Sequence, residues 1–232
     1  MNIKSFKKLF SITAFIFLLI FYISYSSLFN LGFKELNIDI KSLSIVPKTI
    51  ILIGIEFTFL IILWFLYRKE LKKEIIDYKE NFNSYFRLGI KVWAIGLLVM
   101  MTSNLILYFI THSSPSNENN IRTILKSMPV YTLFATMIFA PFSEEIVFRK
   151  ALKKCFSSNM LFIISSGLIF GGLHVLSSKN LIEFLYIIPY GTFGVAFAYL
   201  YSKTKNIFSS MTIHILHNSI LVIAALFSLG VV

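Results

Sequence analysis

Long apolar runs follow one another along this chain and are separated by short charged or polar segments. A helix that crosses a bilayer needs about 20 mostly apolar residues, and seven of the runs approach that length. They lie near Leu9–Phe29, Thr49–Tyr67, Leu88–Ile110, Ser127–Phe148, Asn159–Leu176, Leu181–Ser202 and Ile207–Leu229. The pattern predicts an all-α polytopic membrane protein with about seven transmembrane helices, within a range of six to eight.

The sixth run is the reason for that range, because it contains Pro189 followed by Gly191 and Gly194. A proline inside a helix removes a backbone hydrogen bond. We expect either one kinked helix or two half-helices here, and a membrane tolerates the second only where protein covers the freed backbone groups.

Composition agrees with the membrane prediction. Of the 232 residues, 56% are apolar and 14% are charged, and the mean hydropathy is +0.77. These values exclude an ordinary soluble domain. The single Cys155 excludes an intrachain disulfide, and its position beside a basic helix end favours inert packing over a nucleophilic role.

The net charge of +11 raises the question of a nucleic-acid partner. When the N-terminus is placed in the cytoplasm, sixteen of the 22 Lys and Arg residues fall in cytoplasmic segments. This excess is the positive-inside bias of membrane proteins, so we expect membrane lipids as partners and no nucleic acid. Lys4, Lys7 and Lys8 precede the first run as in a signal peptide, but no clear cleavage site follows, which predicts a retained span.

The two halves of the chain differ in the polarity of their apolar runs. Residues 1–120 have few polar interruptions and are predicted to be scaffold helices, with an amphipathic surface helix in the charged segment from Arg68 to Arg87. Residues 121–232 carry ionisable and amide side chains inside the runs, each costly if it faces lipid. We therefore predict one membrane domain whose catalytic core is residues 121–232.

The fourth run contains two adjacent carboxylates, Glu144 and Glu145, followed by Arg149. Arg149 lies four residues after Glu145 and so on the same helix face, which predicts an ion pair between them. Glu144 points about 100° away, and we expect it to be unpaired and desolvated, as suits a general base. The alternative is a structural ion-pair cluster without catalysis.

Two later runs contribute histidines. FGGLHVL in the fifth run places His174 on a small-residue surface that another helix can approach. HILHN in the seventh run puts His214 and Asn218 on one face, whereas His217 points elsewhere. Alone, either motif could be a packed core feature. Counted at 1.5 Å per residue from the cytoplasmic surface, however, all three motifs fall within about two helical turns of one depth.

These motifs resemble those of the CAAX prenyl endopeptidase and bacteriocin-processing family, also called Abi, of intramembrane proteases. The family pattern is E-E-x-x-x-R, then F-x-x-x-H, then H-x-x-x-N, on successive transmembrane helices. The chain has all the defining positions, namely Glu144, Glu145, Arg149, Phe170, His174, His214 and Asn218, with Pro141 ahead of the pair. The resemblance covers residues 127–230, and the first 120 residues match only in being hydrophobic.

The resemblance implies endopeptidic cleavage in or near the membrane. Glu144 and His174 would activate a water, and Arg149 would hold Glu145. His214 and Asn218 would stabilise the tetrahedral oxyanion.

A zinc ion is the alternative to this metal-free mechanism. Glu144, His174 and His214 could equally be three zinc ligands with an open position for water. We prefer metal-free catalysis slightly, because the chain lacks His-Glu-x-x-His spacing and no carboxylate partner for the histidines can be identified from the sequence.

Two other functions are compatible with parts of the sequence. One is a non-enzymatic bacteriocin-immunity or regulatory scaffold of the same fold, although such members would be expected to lose part of the motif set. The other is an ion-coupled transporter that uses Glu56 and Asn104, but the chain shows no inverted repeat. Glu56 is more simply a helix-contact residue or part of a substrate cavity.

The substrate expected from composition is a leader-bearing peptide. Richness in Lys, Asn, Ile and Phe is typical of AT-rich bacterial genomes, where a leader peptide or bacteriocin precursor is more natural than a prenylated C-a-a-X protein. This interpretation places the protein in a bacterial plasma membrane and rests on analogy. The sequence indicates no oligomeric state.

Overall fold

The computed structural model describes residues 3–112, 114–178 and 180–230. Its helices are α1 (Ile3–Glu35), α2 (Ile45–Thr111), α3 (Ser116–Ser127), α4 (Pro129–Ala151), α5 (Asn159–His174), α6 (Ile187–Thr204) and α7 (Ile207–Leu229). Short 3₁₀ turns at Ile40–Ser42 and Leu181–Tyr186 precede α2 and α6. No strand occurs in these three ranges, which confirms the all-α prediction.

Among the residues that the structure describes, five helical segments are long and apolar enough to cross a membrane. They are Ser5–Glu35, Ile45–Thr111, Pro129–Ala151, Leu181–Thr204 and Ile207–Leu229. α5 is also apolar but has only 16 residues. The predicted count of about seven spans and the cytoplasmic N-terminus stay predictions.

α2 joins the second and third predicted spans and the charged segment between them into one continuous helix of 67 residues. If straight, it would separate Glu56 from Trp93 by about 55 Å. Yet Tyr131 of α4 donates a hydrogen bond to Glu56, and Trp93 donates one to His217 of α7. A further hydrogen bond joins α4 to α7 within two turns of these partners. α2 therefore bends, and both of its apolar ends pack against the same bundle.

Glycines let α5 and α6 approach each other closely. A Cβ added at Gly171 would lie 2.7 Å from the Ile187 carbonyl oxygen, and one added at Gly194 would lie 2.8 Å from the Gly167 Cα. Pro189 lies in the first turn of α6, where the amide groups have no intrahelical partner to lose. The sixth run is therefore one α-helix preceded by a 3₁₀ turn, and Pro189 does not split it.

Charged side chains lie inside the bundle, and large apolar side chains cover its outside. Glu145 and Arg149 are fully buried, whereas Phe17 and Leu98 are 74% and 69% exposed. A water-soluble protein has the opposite distribution, and a bilayer favours this one. The surface thus agrees with a multi-pass membrane protein.

A polar cluster fixes the charged middle of α2 to the end of α4 and the start of α7. Lys150 of α4 forms an ion pair with Glu74 of α2. Asn206, which caps α7, donates a hydrogen bond to Asp77 at 2.7 Å. Because Lys150 directly follows the predicted site on α4, this cluster holds one end of the site helix in place.

Candidate active site

The carboxylate pair, Glu144 and Glu145, lies on α4 between two π-helical turns at Ala135–Phe139 and Ile146–Ala151. π-turns inside an α-helix are frequent at functional sites, because the extra residue turns the following side chains to a new face. Pro141 follows the first π-turn and has no amide hydrogen to donate. Glu144 is 7% exposed and Glu145 is fully buried.

The predicted ion pair between Glu145 and Arg149 is present. The Glu145 Oε2 to Arg149 Nε distance is 3.4 Å, and both side chains are fully buried. The guanidinium carbon of Arg149 lies 4.7 Å from the Phe170 ring centre and 5.5 Å from that of Phe197. Within the described residues its nitrogens make no hydrogen bond, so the ion pair and the two ring faces hold the cation.

The prediction that Glu144 is unpaired is wrong. The hydroxyl of Tyr22 on α1 donates a hydrogen bond to Glu144 Oε1 at 3.0 Å. The other oxygen, Oε2, lies 3.7 Å from His214 Nε2. Residue spacing shows which side chains share a face of one helix, but it does not show which helix packs against that face. The Tyr22 contact was missed for this reason, although a hydroxyl inside the first apolar run was a signal for a buried partner.

His214 bridges the two carboxylates. Its Nδ1 lies 3.0 Å from Glu145 Oε1, while its Nε2 faces Glu144. The ring stacks on Phe197 with a centroid distance of 4.7 Å. A carboxylate at Nδ1 favours the tautomer with the proton on that nitrogen.

Asn218 lies one turn beyond His214, as predicted, and reaches α4. Its side-chain amide donates a hydrogen bond to the Thr136 carbonyl oxygen at 2.8 Å. His217 points to a different partner, since Trp93 Nε1 donates to its Nδ1 at 3.4 Å and Phe193 packs on its ring. Residue spacing correctly predicted that Asn218 and His217 lie on different helix faces, but it did not indicate the contact between His217 and Trp93.

His174 lies beside the carboxylate pair and is not in direct contact with it. Its Nδ1 pairs with the Phe170 carbonyl oxygen at 2.8 Å, and its ring lies against Phe170 and Tyr190. Phe170 also packs edge-to-face with His214 at 6.1 Å. In the part of the chain that the structure describes, His174 forms no hydrogen bond or ion pair with Glu144 or His214. The motifs therefore meet in one layer, with the Phe170 ring between the two histidines.

The donor types of Glu144, His174 and His214 suit zinc, but their arrangement does not form a zinc site. Across residues 3–112, 114–178 and 180–230, no three His, Cys, Asp or Glu side chains are grouped to hold a metal ion. One argument made from the sequence is nevertheless wrong. His214 does have a carboxylate partner, Glu145, and His174 has a carbonyl partner, which are the supports that ligating histidines normally have.

Comparison with known proteins identifies the region that carries these motifs. Residues 126–220 match the family model described as Type II CAAX prenyl endopeptidase Rce1-like. Over 150 residues, 60% of this chain, the sequence is 26% identical to a Bacillus subtilis (strain 168) protein described as "Putative membrane peptidase YdiL". Over 98 residues, 42% of this chain, it is 35% identical to an uncharacterized protein of Mycoplasma capricolum subsp. capricolum. No solved structure matches the chain.

The matches differ in extent, and two of them, the family model and the Bacillus relative, are described as peptidases. The chain spans 58% of the length of the Bacillus relative and 29% of that of the Mycoplasma relative. The family match begins just before α4 and ends inside α7, so it contains the carboxylate pair and all the predicted partners from Arg149 to Asn218. The predicted resemblance is thereby confirmed: residues 126–220 of this chain are similar to the Rce1-like type II CAAX prenyl endopeptidases.

Proposed function

We propose that this chain is an intramembrane endopeptidase that uses Glu144 as the base that activates water. The observation that carries the proposal is the different environment of two adjacent carboxylates. Glu145 is held by Arg149 and His214, whereas Glu144 has one oxygen held by Tyr22 and the other directed toward His214. Two carboxylates in environments as different as these typically have different roles in a reaction.

These positions support a reaction in which water is the nucleophile. Water attacks the scissile carbonyl carbon while Glu144 takes its proton, and His174 orients the water through Nε2, since its Nδ1 is already paired. The tetrahedral oxyanion accepts hydrogen bonds from protonated His214 and from the Asn218 amide. That amide has two N–H groups and gives only one to Thr136. Glu144 then returns the proton to the leaving amine as the C–N bond breaks.

The proposed substrate is a membrane-associated or leader-bearing peptide, bound by a protein of the bacterial plasma membrane. The buried site supports this choice, because a scissile bond must reach an interior layer where Glu144 and His214 are at most 7% exposed. The Bacillus relative, described as a putative membrane peptidase, supports the membrane location, and both relatives come from bacteria. Processing of bacteriocin precursors and self-immunity are roles that fit such a substrate, and anionic membrane lipids fit the basic segments that are predicted to be cytoplasmic.

A paired cleavage assay tests the proposal. Purified wild-type protein and the Glu144→Ala variant are incubated in detergent with a leader-peptide library, and the metal content of the same samples is measured. Cleavage by wild type alone supports the proposal, and stoichiometric zinc in the active sample would contradict the metal-free mechanism. If both proteins are folded and neither cuts any peptide, the endopeptidase proposal fails and a non-enzymatic immunity or regulatory scaffold replaces it.

A further inference from the structure

The hydroxyl of Tyr22 reaches the carboxylate pair from α1, a helix outside the region that matches the family. It donates to Glu144 Oε1 at 3.0 Å, across 122 positions of sequence. α1 therefore contributes a side chain to the site, although its apolar pattern predicts only a scaffold helix.

Aromatic rings from two other helices set the direction of this hydroxyl. The Tyr22 ring packs edge-to-face with Phe148 of α4, at a centroid distance of 5.4 Å and an angle of 88°. It also meets Phe59 of α2 at 6.0 Å. Such edge-to-face pairs favour defined orientations. Ring packing therefore orients the phenol independently of its hydrogen bond to Glu144.

A glutamate carboxylate rotates with little restriction about its last torsion. The Tyr22 hydrogen bond removes that freedom by fixing Oε1, so that Oε2 faces His214. We propose that Tyr22 is a positioning residue, which holds the Glu144 carboxylate in the orientation needed to accept a proton from water. This inference rests on the proposed endopeptidase function and extends it to a residue of α1.

Tyr25 provides a matched control on the same helix. Its ring belongs to the same aromatic cluster, at 4.9 Å from Phe59 and 5.4 Å from Phe139. Within the described residues, however, its hydroxyl makes no hydrogen bond to Glu144. Replacing each tyrosine by phenylalanine removes one hydroxyl and leaves the ring, so the pair separates the hydrogen bond from aromatic packing.

The experiment compares wild type, Tyr22→Phe and Tyr25→Phe on one peptide that wild type cleaves. We expect kcat of Tyr22→Phe to fall about 10- to 100-fold, the range for a lost hydrogen bond to a charged group. KM should remain close to wild type, because the substrate contacts are kept, and the thermal unfolding midpoint should fall only modestly, because the ring packing is kept while one buried hydrogen bond is lost. Tyr25→Phe should retain kcat within about threefold.

Three results would overturn the inference while leaving the endopeptidase function intact. They are an unchanged kcat in Tyr22→Phe, an equal loss of kcat in both variants, and a change confined to KM. An equal loss would assign the effect to packing, and a KM effect would assign Tyr22 to substrate binding. If wild type itself cleaves no peptide, the proposed function fails and the positioning role fails with it.

Discussion

Two regions of this molecule bury carboxylates inside the helix bundle, and their surroundings differ. Between α2 and α4, Glu56 is 5% exposed and accepts one hydrogen bond, from Tyr131 at 2.8 Å. Its other oxygen is buried without a hydrogen bond to any described residue. At the candidate active site, by contrast, two carboxylates share a histidine, and one of them also pairs with a buried arginine.

Burial of a carboxylate is therefore not by itself evidence of a catalytic role. Among the described residues, Glu56 has one hydrogen-bond partner, the neutral Tyr131 on a neighbouring helix, which is the arrangement of a helix contact. This geometry favours the helix-contact interpretation over a transport pathway through Glu56. At the active site, Glu144 and Glu145 have different partners. Such a difference is expected when one carboxylate is the general base and the other only holds neighbouring side chains in place. Substitutions in and around the site test whether these carboxylates differ in function.

The largest expected effect is on stability, from Arg149→Leu. The substitution leaves Glu145 buried without its cation, and removal of one partner of a buried pair costs about 3–5 kcal/mol. The thermal unfolding midpoint in detergent should fall strongly. The double variant Glu145→Gln with Arg149→Leu should recover most of the midpoint without recovering cleavage. A single variant as stable as wild type would show that the pair has no structural role.

Asn218→Ala should lower kcat about 10²- to 10³-fold, the usual loss for one oxyanion donor. KM should change little, because the amide is proposed to act on the tetrahedral oxyanion. Asn104→Ala removes an α2 amide that belongs to none of the three motifs, and as the control it should keep wild-type kinetics. Equal kcat values for the two variants would remove Asn218 from the mechanism.

The smallest expected effect is on the packing of α6 against α5, the helix that contains His174. Gly171→Ala places a Cβ 2.7 Å from the Ile187 carbonyl, so α5 and α6 must separate. We expect a loss of about 1–3 kcal/mol, measured as a lower unfolding midpoint. The neighbouring Gly172→Ala meets no atom within 4 Å and should be close to neutral. If the two variants have the same midpoint, the close helix approach is not present in the protein.

The sequence predicts the features that depend on periodicity within one helix. The all-α class, the ion pair between Glu145 and Arg149, and the different faces of Asn218 and His217 all follow from residue spacing. The family resemblance was also predicted from the motifs, because their order along the chain is specific.

Contacts between helices could not be predicted in the same way. Tyr22 and Trp93 lie in the half that was predicted to be scaffold, yet they contact Glu144 and His217. The bend of α2 depends on the helices it packs against, and nothing in its own pattern of residues shows that the helix stays continuous. These features depend on which helix faces meet, and residue spacing along one helix does not show that.

The most direct test of a catalytic role for Glu144 compares Glu144→Gln with Glu56→Gln on one cleaved peptide. Both substitutions replace a buried carboxylate by an amide of nearly the same shape, which can still accept a hydrogen bond from Tyr22 or Tyr131. We predict that Glu144→Gln lowers kcat by about 10²- to 10⁴-fold, as expected for loss of a general base. Glu56→Gln should stay within about threefold of wild type. Equal activities of the two variants would contradict the claim that the two carboxylate regions have different functions.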